Sequence, residues 1–327
     1  MKTGSLRLFV RHNAIPLLAA AVFAAMFALY LALQPRGVTV GTLVTASNKG
    51  VLLALIACAQ TLPVLTGGID LSVGAIAVLA NCLASTLLGG SGLSLAGGVA
   101  ATLAAGALAG GFNAVAVVWG RLQPIIATLA TSSMFYGLSL LLRPEPGGDV
   151  NDDFASALTG DIHGVPTSLL LLLAVLLLFW LPFRRSLIGR GVYAVGSAEA
   201  AAYMSGVKIN RSKACAYVLS GVLASLAGLL LTLIAESAQA SAIQAGDLTL
   251  NAIAAVVIGG TSLFGGIGGL AGSVLGAFIL RTIGDLLFVL AASPLWQPLF
   301  QGLILLAAVS LGALPLLRNR NRLESFR

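Results

Sequence analysis

The sequence of 327 residues predicts an all-α, polytopic transmembrane helical bundle. Apolar residues make up 58% of the chain and charged residues only 9%, whereas an ordinary soluble domain is roughly 25% charged. Several apolar runs reach the ~20 residues that a helix needs to cross the hydrocarbon core of a bilayer. None of these runs alternates polar and apolar residues as the strands of a membrane barrel do.

The first predicted element is a helix over residues 14–34, which follows a tail containing Lys2, Arg7 and Arg11. Its apolar run is longer than the core of a secretory signal, and no convincing cleavage site follows it. We therefore expect an uncleaved first membrane helix.

The apolar runs predict about ten crossings in all. Pro124 suits the first turn of its helix, where a backbone N–H would have no helical partner. The run 248–260 is too short for a full crossing and is predicted to be a half-helix. After 14–34, the predicted spans are 48–65, 71–89, 94–118, 124–142, 167–183, 213–235, 248–260, 269–290 and 298–317.

The charges predict which side of the membrane each loop occupies. Lys and Arg cluster in the N-terminal tail, in 184–213 and in the C-terminal tail, which the positive-inside rule places in the cytoplasm together with both termini. Acidic residues cluster in 144–166, which is therefore predicted to be an outside loop. The net charge of +7 is thus assigned to topology and not to nucleic acid. The single domain 1–327 comprises six spans in 14–183, a cytoplasmic loop 184–212, four spans in 213–317 and a basic tail 318–327.

Asp70 follows the glycine pair Gly67-Gly68 inside an apolar stretch. An ionisable group at the centre of a membrane helix costs at least ~2.5 kcal/mol on insertion scales, so this carboxylate needs a structural or functional reason. One interpretation makes Asp70 the N-cap of the helix that restarts there, with Ser72 nearby. The other makes it part of a polar pathway that accepts hydrogen bonds from a hydroxylated substrate. The N-cap interpretation is favoured, because caps are frequent wherever helices restart.

Residues 67–74 resemble residues 259–266, since each segment contains a glycine pair between two apolar runs. Paired glycine breaks in the two halves of a transporter point to its central pathway, but glycines also serve close helix packing. Both explanations of Gly259 and Gly260 stay open. For Asn113, an interhelical hydrogen bond is favoured over a substrate contact.

The segment 187–206 predicts a short helix outside the membrane. Ser197 is its predicted N-cap, Glu199 complements the positive helix end, and Gly206 is predicted to end it in a left-handed turn. Tyr203 and Met204 would be exposed unless a partner covers them. Docking into a groove of another protein is favoured over lying on the bilayer surface.

Other features argue against catalysis by this chain. The sequence lacks the glycine-rich phosphate loop G-x-x-x-x-G-K-[ST]. His12 and His163 are isolated, and the cysteines lack the spacing of a metal site or disulfide framework and are predicted to fill the core. Arg281 and Asp285, four residues apart, are predicted to pair on one helix face. We therefore expect no enzyme, no metal and no cofactor bound by this chain.

Three motifs, in 66–74, in 189–201 with 205–207, and in 252–266, together resemble one family: the permease subunits of bacterial ABC importers of the ribose, xylose, arabinose and galactose type. The similarity covers about residues 40–312, with the motifs in the same order and spacing. This chain departs from the family pattern at Gly196-Ser197 and at Ala202-Tyr203-Met204. The departure suggests a coupling surface tuned to its own ATPase.

The resemblance implies a permease of the bacterial inner membrane that translocates a monosaccharide delivered by a periplasmic binding protein. Its further implied partners are a cytoplasmic ATPase that uses ATP and a second permease, either a copy of this chain or a paralogue. The implied ATPase-coupling residues are Arg190, Gly196, Ser197, Glu199, Ala200, Tyr203 and Gly206. The candidate pathway residues are Gly67, Gly68, Asp70, Ser72, Asn113, Gly259 and Gly260. An ion-coupled secondary transporter and a membrane scaffold are the alternatives.

Overall fold

Helices account for most of the computed structural model, which describes residues 14–35, 37–293, 296, 299–300, 302–303 and 306. A π-helical turn, Val115–Trp119, extends the helix Gly92–Ala114, and another, Val175–Trp180, joins the helices Thr167–Ala174 and Leu181–Arg185. Strands β1 (Asp161–Ile162) and β2 (Val165–Pro166) form a small antiparallel hairpin. The helices are α1 Ala14–Ala32, α2 Val40–Leu65, α3 Val73–Leu87, α4 Gly92–Ala114, α5 Pro124–Leu142, α6 Asp152–Thr159, α7 Thr167–Ala174, α8 Leu181–Arg185, α9 Leu187–Ser197, α10 Glu199–Met204, α11 Ile209–Ala235, α12 Ala242–Ile258 and α13 Leu270–Val289.

The apolar helices confirm the predicted class of an all-α membrane protein. Six stretches within the described ranges are long and apolar enough to cross a membrane: Val40–Leu65, Gly92–Trp119, Pro124–Leu142, Thr167–Arg185, Ile209–Ala235 and Leu270–Val289. Three shorter apolar helices are Leu17–Ala32, Val73–Leu87 and Ile243–Ile258. These nine coincide with nine predicted spans. Most of the tenth, 298–317, and both tails lie outside the described residues, so the count of ten and the cytoplasmic termini stay predictions.

Two helices begin at least six residues earlier than the apolar runs predict, because each has a polar first part and a side-chain cap. Helix α2 begins at Val40, where the Thr39 hydroxyl accepts a hydrogen bond from the Thr42 N–H at 3.1 Å. Helix α12 begins at Ala242, where the Ser241 hydroxyl accepts from the Gln244 N–H at 3.2 Å. The half-helix prediction for 248–260 is therefore too short, since α12 has 17 residues.

The acidic segment 144–166, predicted to be an outside loop, contains regular secondary structure. It contains α6, whose N-cap Asn151 accepts a hydrogen bond from the Phe154 N–H at 2.9 Å, and the β1–β2 hairpin. Asp152 and Asp153 occupy the first turn of α6, where carboxylates stabilise the positive helix end. This Asn-Asp-Asp sequence is a helix-start pattern that could have predicted the helix.

Helix α3 forms the centre of the bundle, and all but three of its 15 residues are buried. Small residues allow neighbouring backbones to approach closely, as is common between membrane helices. A Cβ atom on Gly221 of α11 would clash with the Gly106 carbonyl of α4, and one on Gly228 would clash with the Ala77 carbonyl of α3. Helix α11 is thus fitted between α4 and α3.

The bundle has two distinct ends. At one end, the Arg143 guanidinium donates from Nε to the Ser85 hydroxyl at 3.1 Å, and the Asn151 N–H donates to the Leu88 carbonyl at 2.8 Å. The acidic segment thus covers the last turn of α3. The α9–α10 segment contacts the opposite end, near Leu65 at the end of α2. The segments predicted to be outside and cytoplasmic therefore lie at opposite ends of the bundle.

Candidate functional site

Asp70 is fully buried, and three hydrogen bonds hold its carboxylate. Its Oδ1 accepts from the Ser72 N–H at 2.8 Å and from the Ser72 hydroxyl at 2.6 Å. Its Oδ2 accepts from the Asn113 amide at 3.4 Å. The carboxylate thus joins the turn before α3 to helix α4.

Asn113 extends this network to α5. Its amide nitrogen donates to the Ser72 hydroxyl at 2.7 Å, and its amide oxygen accepts from the Thr131 hydroxyl at 2.6 Å. The favoured interpretation of Asn113 as an interhelical hydrogen-bond partner is confirmed. Because the interior of a membrane contains no water, hydrogen bonds between helices satisfy the polar side chains there.

The backbone on either side of Asp70 is also held by side chains. The Thr128 hydroxyl accepts from the Leu71 N–H at 2.8 Å. The Gln60 amide, oriented so that both its polar atoms are paired, donates to the Asp70 carbonyl at 2.7 Å and accepts from the Asp70 N–H at 3.3 Å. Sequence reasoning missed Gln60, Thr128 and Thr131, although a polar residue within an apolar run is a usable indication of such a contact.

The prediction that Asp70 is an N-cap is wrong in detail. Helix α3 begins at Val73 with Ser72 as its N-cap residue, and no side chain caps it there. Asp70 instead accepts from the N–H two residues ahead, the pattern of an Asx turn. The carboxylate therefore closes the turn before the helix, because α3 begins two residues later than the predicted span.

All candidate pathway residues around this break are buried in this conformation except Gly67, which is exposed. Asp70, Ser72 and Asn113 have no exposed surface. The Tyr217 side chain packs closely against Gly68, and a Cβ at this position would lie 2.6 Å from the Tyr217 hydroxyl oxygen. The arrangement acts as a polar cross-brace between α3, α4 and α5.

A second feature, which we call the glycine junction, consists of Gly67, Gly196, Gly265 and Gly266 around the Leu65 carbonyl. The Gly266 N–H donates to that carbonyl at 3.0 Å. A Cβ on Gly196 would clash with the same carbonyl, and one on Gly265 would lie 2.8 Å from the Gly67 nitrogen. The junction thus joins the end of α2, the end of α9 and the loop between α12 and α13.

The similarity between 67–74 and 259–266 corresponds to two matching helix ends, offset by one residue. Gly67 and Gly260 have φ of 81° and 79°. In each turn the next N–H reaches back five residues, from Gly68 to Pro63 at 3.0 Å and from Thr261 to Val256 at 3.1 Å, as in a Schellman motif. Gly259 instead packs against Gly272 of α13, where a Cβ on either would clash with the other's carbonyl.

The cytoplasmic helix prediction is correct at its C-terminus and wrong at its N-terminus. Gly206 has φ of 79°, and the Val207 N–H donates to the Ala202 carbonyl at 3.0 Å, which ends α10 in the expected left-handed turn. Ser197 is not an N-cap; it is the last residue of α9, and its hydroxyl donates to the Tyr193 carbonyl at 2.9 Å. Helix α10 begins at Glu199 after Ala198, which forms no side-chain cap.

The surface of α9 and α10 presents the predicted exposed groups. Tyr203 and Met204 are 74% and 80% exposed, and Arg190 and Ala200 are exposed as well. Glu199 pairs with Lys213 of α11 at 2.7 Å, which ties α10 to the bundle.

Tyr193 is a further contact that sequence reasoning missed. Its hydroxyl donates to the Gly268 carbonyl at 2.8 Å and so joins α9 to the loop before α13. Burial raises the pKa of Tyr193, an effect that Arg184 partly opposes. The hydroxyl therefore keeps its proton and remains a donor at neutral pH.

Two other predictions concern groups away from these sites. Arg281 and Asp285 form the predicted pair at 2.8 Å. Cys58 and Cys82 are buried free thiols in the core, as predicted, and Cys215 is a partly buried free thiol. Within the described ranges, no group of three or more His, Cys, Asp or Glu residues could hold a metal ion.

Comparison with known proteins places these features in context. Residues 42–309 match the protein family described as "Branched-chain amino acid transport system / permease component". The ribose import permease of Haemophilus influenzae is 37% identical over 78% of this chain and 80% of its own length, and that of Bacillus subtilis is 38% identical over 79% and 80%. The D-allose permease of Escherichia coli is 34% identical over 80% and 79%. No solved structure matches the chain.

Proposed function

Because the chain belongs to this permease family, we propose that it is the membrane-spanning subunit of an ATP-driven importer for a monosaccharide. The observation that carries the proposal is the similarity to ribose and allose permeases over about four fifths of both chains. A periplasmic binding protein would deliver the solute, and an ATPase in the cytoplasm would drive its passage. The importer would contain two permeases in the bacterial inner membrane.

The α9–α10 segment is the proposed contact with the ATPase. Tyr203 and Met204 present exposed apolar surface, and such a surface on a short helix suits a groove in a partner. The salt bridge between Glu199 and Lys213 and the contact of Gly196 with Leu65 would make this segment move with the bundle. Rigid coupling of this kind shifts a bundle between two states.

The glycine junction supports a route from the ATPase to the bundle core. It joins α9 to the turn that contains Gly67 and to the loop before α13. Asp70 lies three residues beyond Gly67 and braces α3 against α4 and α5. In this proposal, the candidate pathway residues move the walls of the pathway. They are Gly67, Gly68, Asp70, Ser72, Asn113, Gly259 and Gly260.

The proposal is tested with the complete importer in proteoliposomes, by following uptake of labelled D-ribose and D-allose. We expect uptake to require ATP, the ATPase and the binding protein. Uptake that persists without ATP while an ion gradient is held would overturn the proposal in favour of a secondary transporter.

The ATPase contact is tested by Tyr203→Ser combined with Met204→Ser. We expect the variant to insert normally but to recover less ATPase on purification and to lose most uptake. Ile162→Ser, which also removes an exposed apolar side chain but at the opposite end of the bundle, is the matched control. ATPase recovery and uptake equal to those of the control would contradict the assignment.

A further inference from the structure

Helix α12 carries three polar side chains along one side, and its remaining polar residue, Thr249, is buried and donates to the Ala245 carbonyl. Gln244, Asp247 and Asn251 follow one another at intervals of three and four residues, which places them on the same helix side. We call them the polar stripe. The opposite side of α12 is buried and contains Ala245, Thr249, Ala252 and Val256.

The polar stripe faces away from the bundle core. Asp247 is exposed, and Gln244 and Asn251 are partly exposed. In the part of the chain that the structure describes, none of the three side chains has a hydrogen-bond or ion-pair partner. Other polar residues of the bundle behave differently, since Asn81 accepts from the Thr232 hydroxyl at 2.8 Å and Asp70 is fully paired.

Lipid is an unsuitable neighbour for this surface. Asn251 lies nine residues after Ala242, or about 14 Å along the helix axis, which is close to the middle of α12. Polar and ionisable groups at such depth normally face a bundle interior or a water-filled cavity, because lipid tails offer no hydrogen bonds. Asp247 lies in the second turn of α12.

The chemistry of the stripe suits hydroxyl groups. A carboxylate accepts hydrogen bonds, and the two carboxamides both donate and accept. No described cation lies against the stripe to favour an anionic solute. Leu250 and Ile243, which are 58% and 79% exposed on the neighbouring side of α12, offer apolar surface to the C–H groups of such a solute.

We propose that the polar stripe lines the solute path and hydrogen-bonds the hydroxyl groups of a neutral, polyhydroxylated solute. The inference rests on the proposed function, since it assigns the surface that the monosaccharide touches. It moves the solute contact from the closed network around Asp70 to the accessible side of α12. The C-terminal end of α12 leads through Gly259 and Gly260 to the glycine junction, so movement of α9 can reach the stripe.

Cysteine labelling tests whether the stripe faces water. Asp247→Cys and Asn251→Cys are introduced into the complete importer with its native cysteines replaced, and are treated with a charged methanethiosulfonate reagent. We expect both to react, and saturating D-ribose or D-allose with the binding protein to slow the reaction. The matched control is Leu129→Cys on the exposed side of α5, 58% exposed, which we expect to stay unlabelled.

Two labelling results would overturn the inference. One is that Asp247→Cys and Asn251→Cys are as unreactive as Leu129→Cys, which would indicate coverage by lipid or by another part of the chain. The other is that they form disulfides between two copies while resisting the reagent, which would make the stripe a contact between permeases. If the wild-type importer transports neither sugar, the proposed function fails, but the labelling still decides whether the stripe faces water.

Transport measurements test the hydrogen bonds themselves. We expect Asp247→Asn and Asn251→Leu each to lower uptake at limiting sugar by about threefold to tenfold, the loss typical of one or two hydrogen bonds. Glu236→Gln, which removes an exposed carboxylate at the C-terminal end of α11, is the control and should transport normally. Uptake by both stripe variants equal to that of Glu236→Gln would overturn the proposed contact.

Discussion

At the scale of single residues, Asp70 shows how a buried carboxylate can be structural. It accepts three hydrogen bonds from Ser72 and Asn113 and has no exposed surface. A buried charged group is costly unless hydrogen bonds satisfy it, and here the Ser72 N–H and hydroxyl and the Asn113 amide do so. The residue type alone suggested a capping or a substrate-binding role, and the contacts show a cross-brace.

The cross-brace predicts a specific loss of stability. Asn113→Leu keeps the approximate side-chain size but removes the bonds to Asp70, Ser72 and Thr131. We expect the free energy of unfolding to fall by about 1–3 kcal/mol, because buried polar groups lose their partners. Thermal denaturation of the detergent-solubilised protein measures the change. Ser94→Ala, which removes an exposed hydroxyl from α4, should leave the midpoint of thermal denaturation unchanged. A midpoint for Asn113→Leu equal to that of Ser94→Ala would contradict the cross-brace.

The glycine junction predicts a second effect at a single position. Gly196→Ala would drive a Cβ into the Leu65 carbonyl, whereas Gly137→Ala on α5 meets open space. We expect Gly196→Ala to lower the free energy of unfolding by about 1–3 kcal/mol through overpacking, and Gly137→Ala to be neutral. If the protein folds, coupling is measured as sugar transported per ATP hydrolysed. A ratio and a stability equal to those of Gly137→Ala would show that the close contact at Gly196 is dispensable.

At the scale of elements, apolar periodicity predicted where most helices lie. The predicted span 124–142 matches α5 at both ends, because Pro124 marks the first turn. The polar starts of α2 and α12 and the whole of α6 were missed, because counting apolar residues ignores capping by Thr39, Ser241 and Asn151. Of the candidate sites, Asn113, the Gly206 turn and the exposed Tyr203 could be predicted. Their partners come from distant parts of the chain and could not.

The crossing of α4 and α11 predicts how a larger side chain acts. Gly106→Leu would separate the helices, since even a Cβ at this position clashes with the Gly221 carbonyl. We expect a loss of about 1–3 kcal/mol or more in unfolding free energy, measured by thermal denaturation and by the yield of monodisperse protein. Gly97→Leu lies on the same helix in open space and should behave as wild type. Equal losses for the two variants would contradict close packing as the cause.

At the scale of the whole molecule, the two ends of the bundle predict a sided labelling pattern. With the expected topology, Asp153→Cys on α6 should react with an impermeant maleimide in intact spheroplasts. Tyr203→Cys on α10 should react only after permeabilisation, because the positive-inside rule places its flanking residues in the cytoplasm. The reverse pattern would invert the proposed orientation and remove the ATPase assignment of α9 and α10.

The sequence by itself determined the membrane class and most helix positions, because burial in lipid imposes long apolar runs. The side of the membrane that each loop occupies stays a prediction from the charges. The tertiary structure decided which polar groups are hydrogen-bonded inside the bundle and which are exposed. The polar atoms of Asp70 and Asn113 are hydrogen-bonded within the network that joins α3, α4 and α5. The side chain of Asp247, in contrast, is exposed on α12. Pairing depends on distances between residues far apart in the chain, and only the packed bundle fixes those distances.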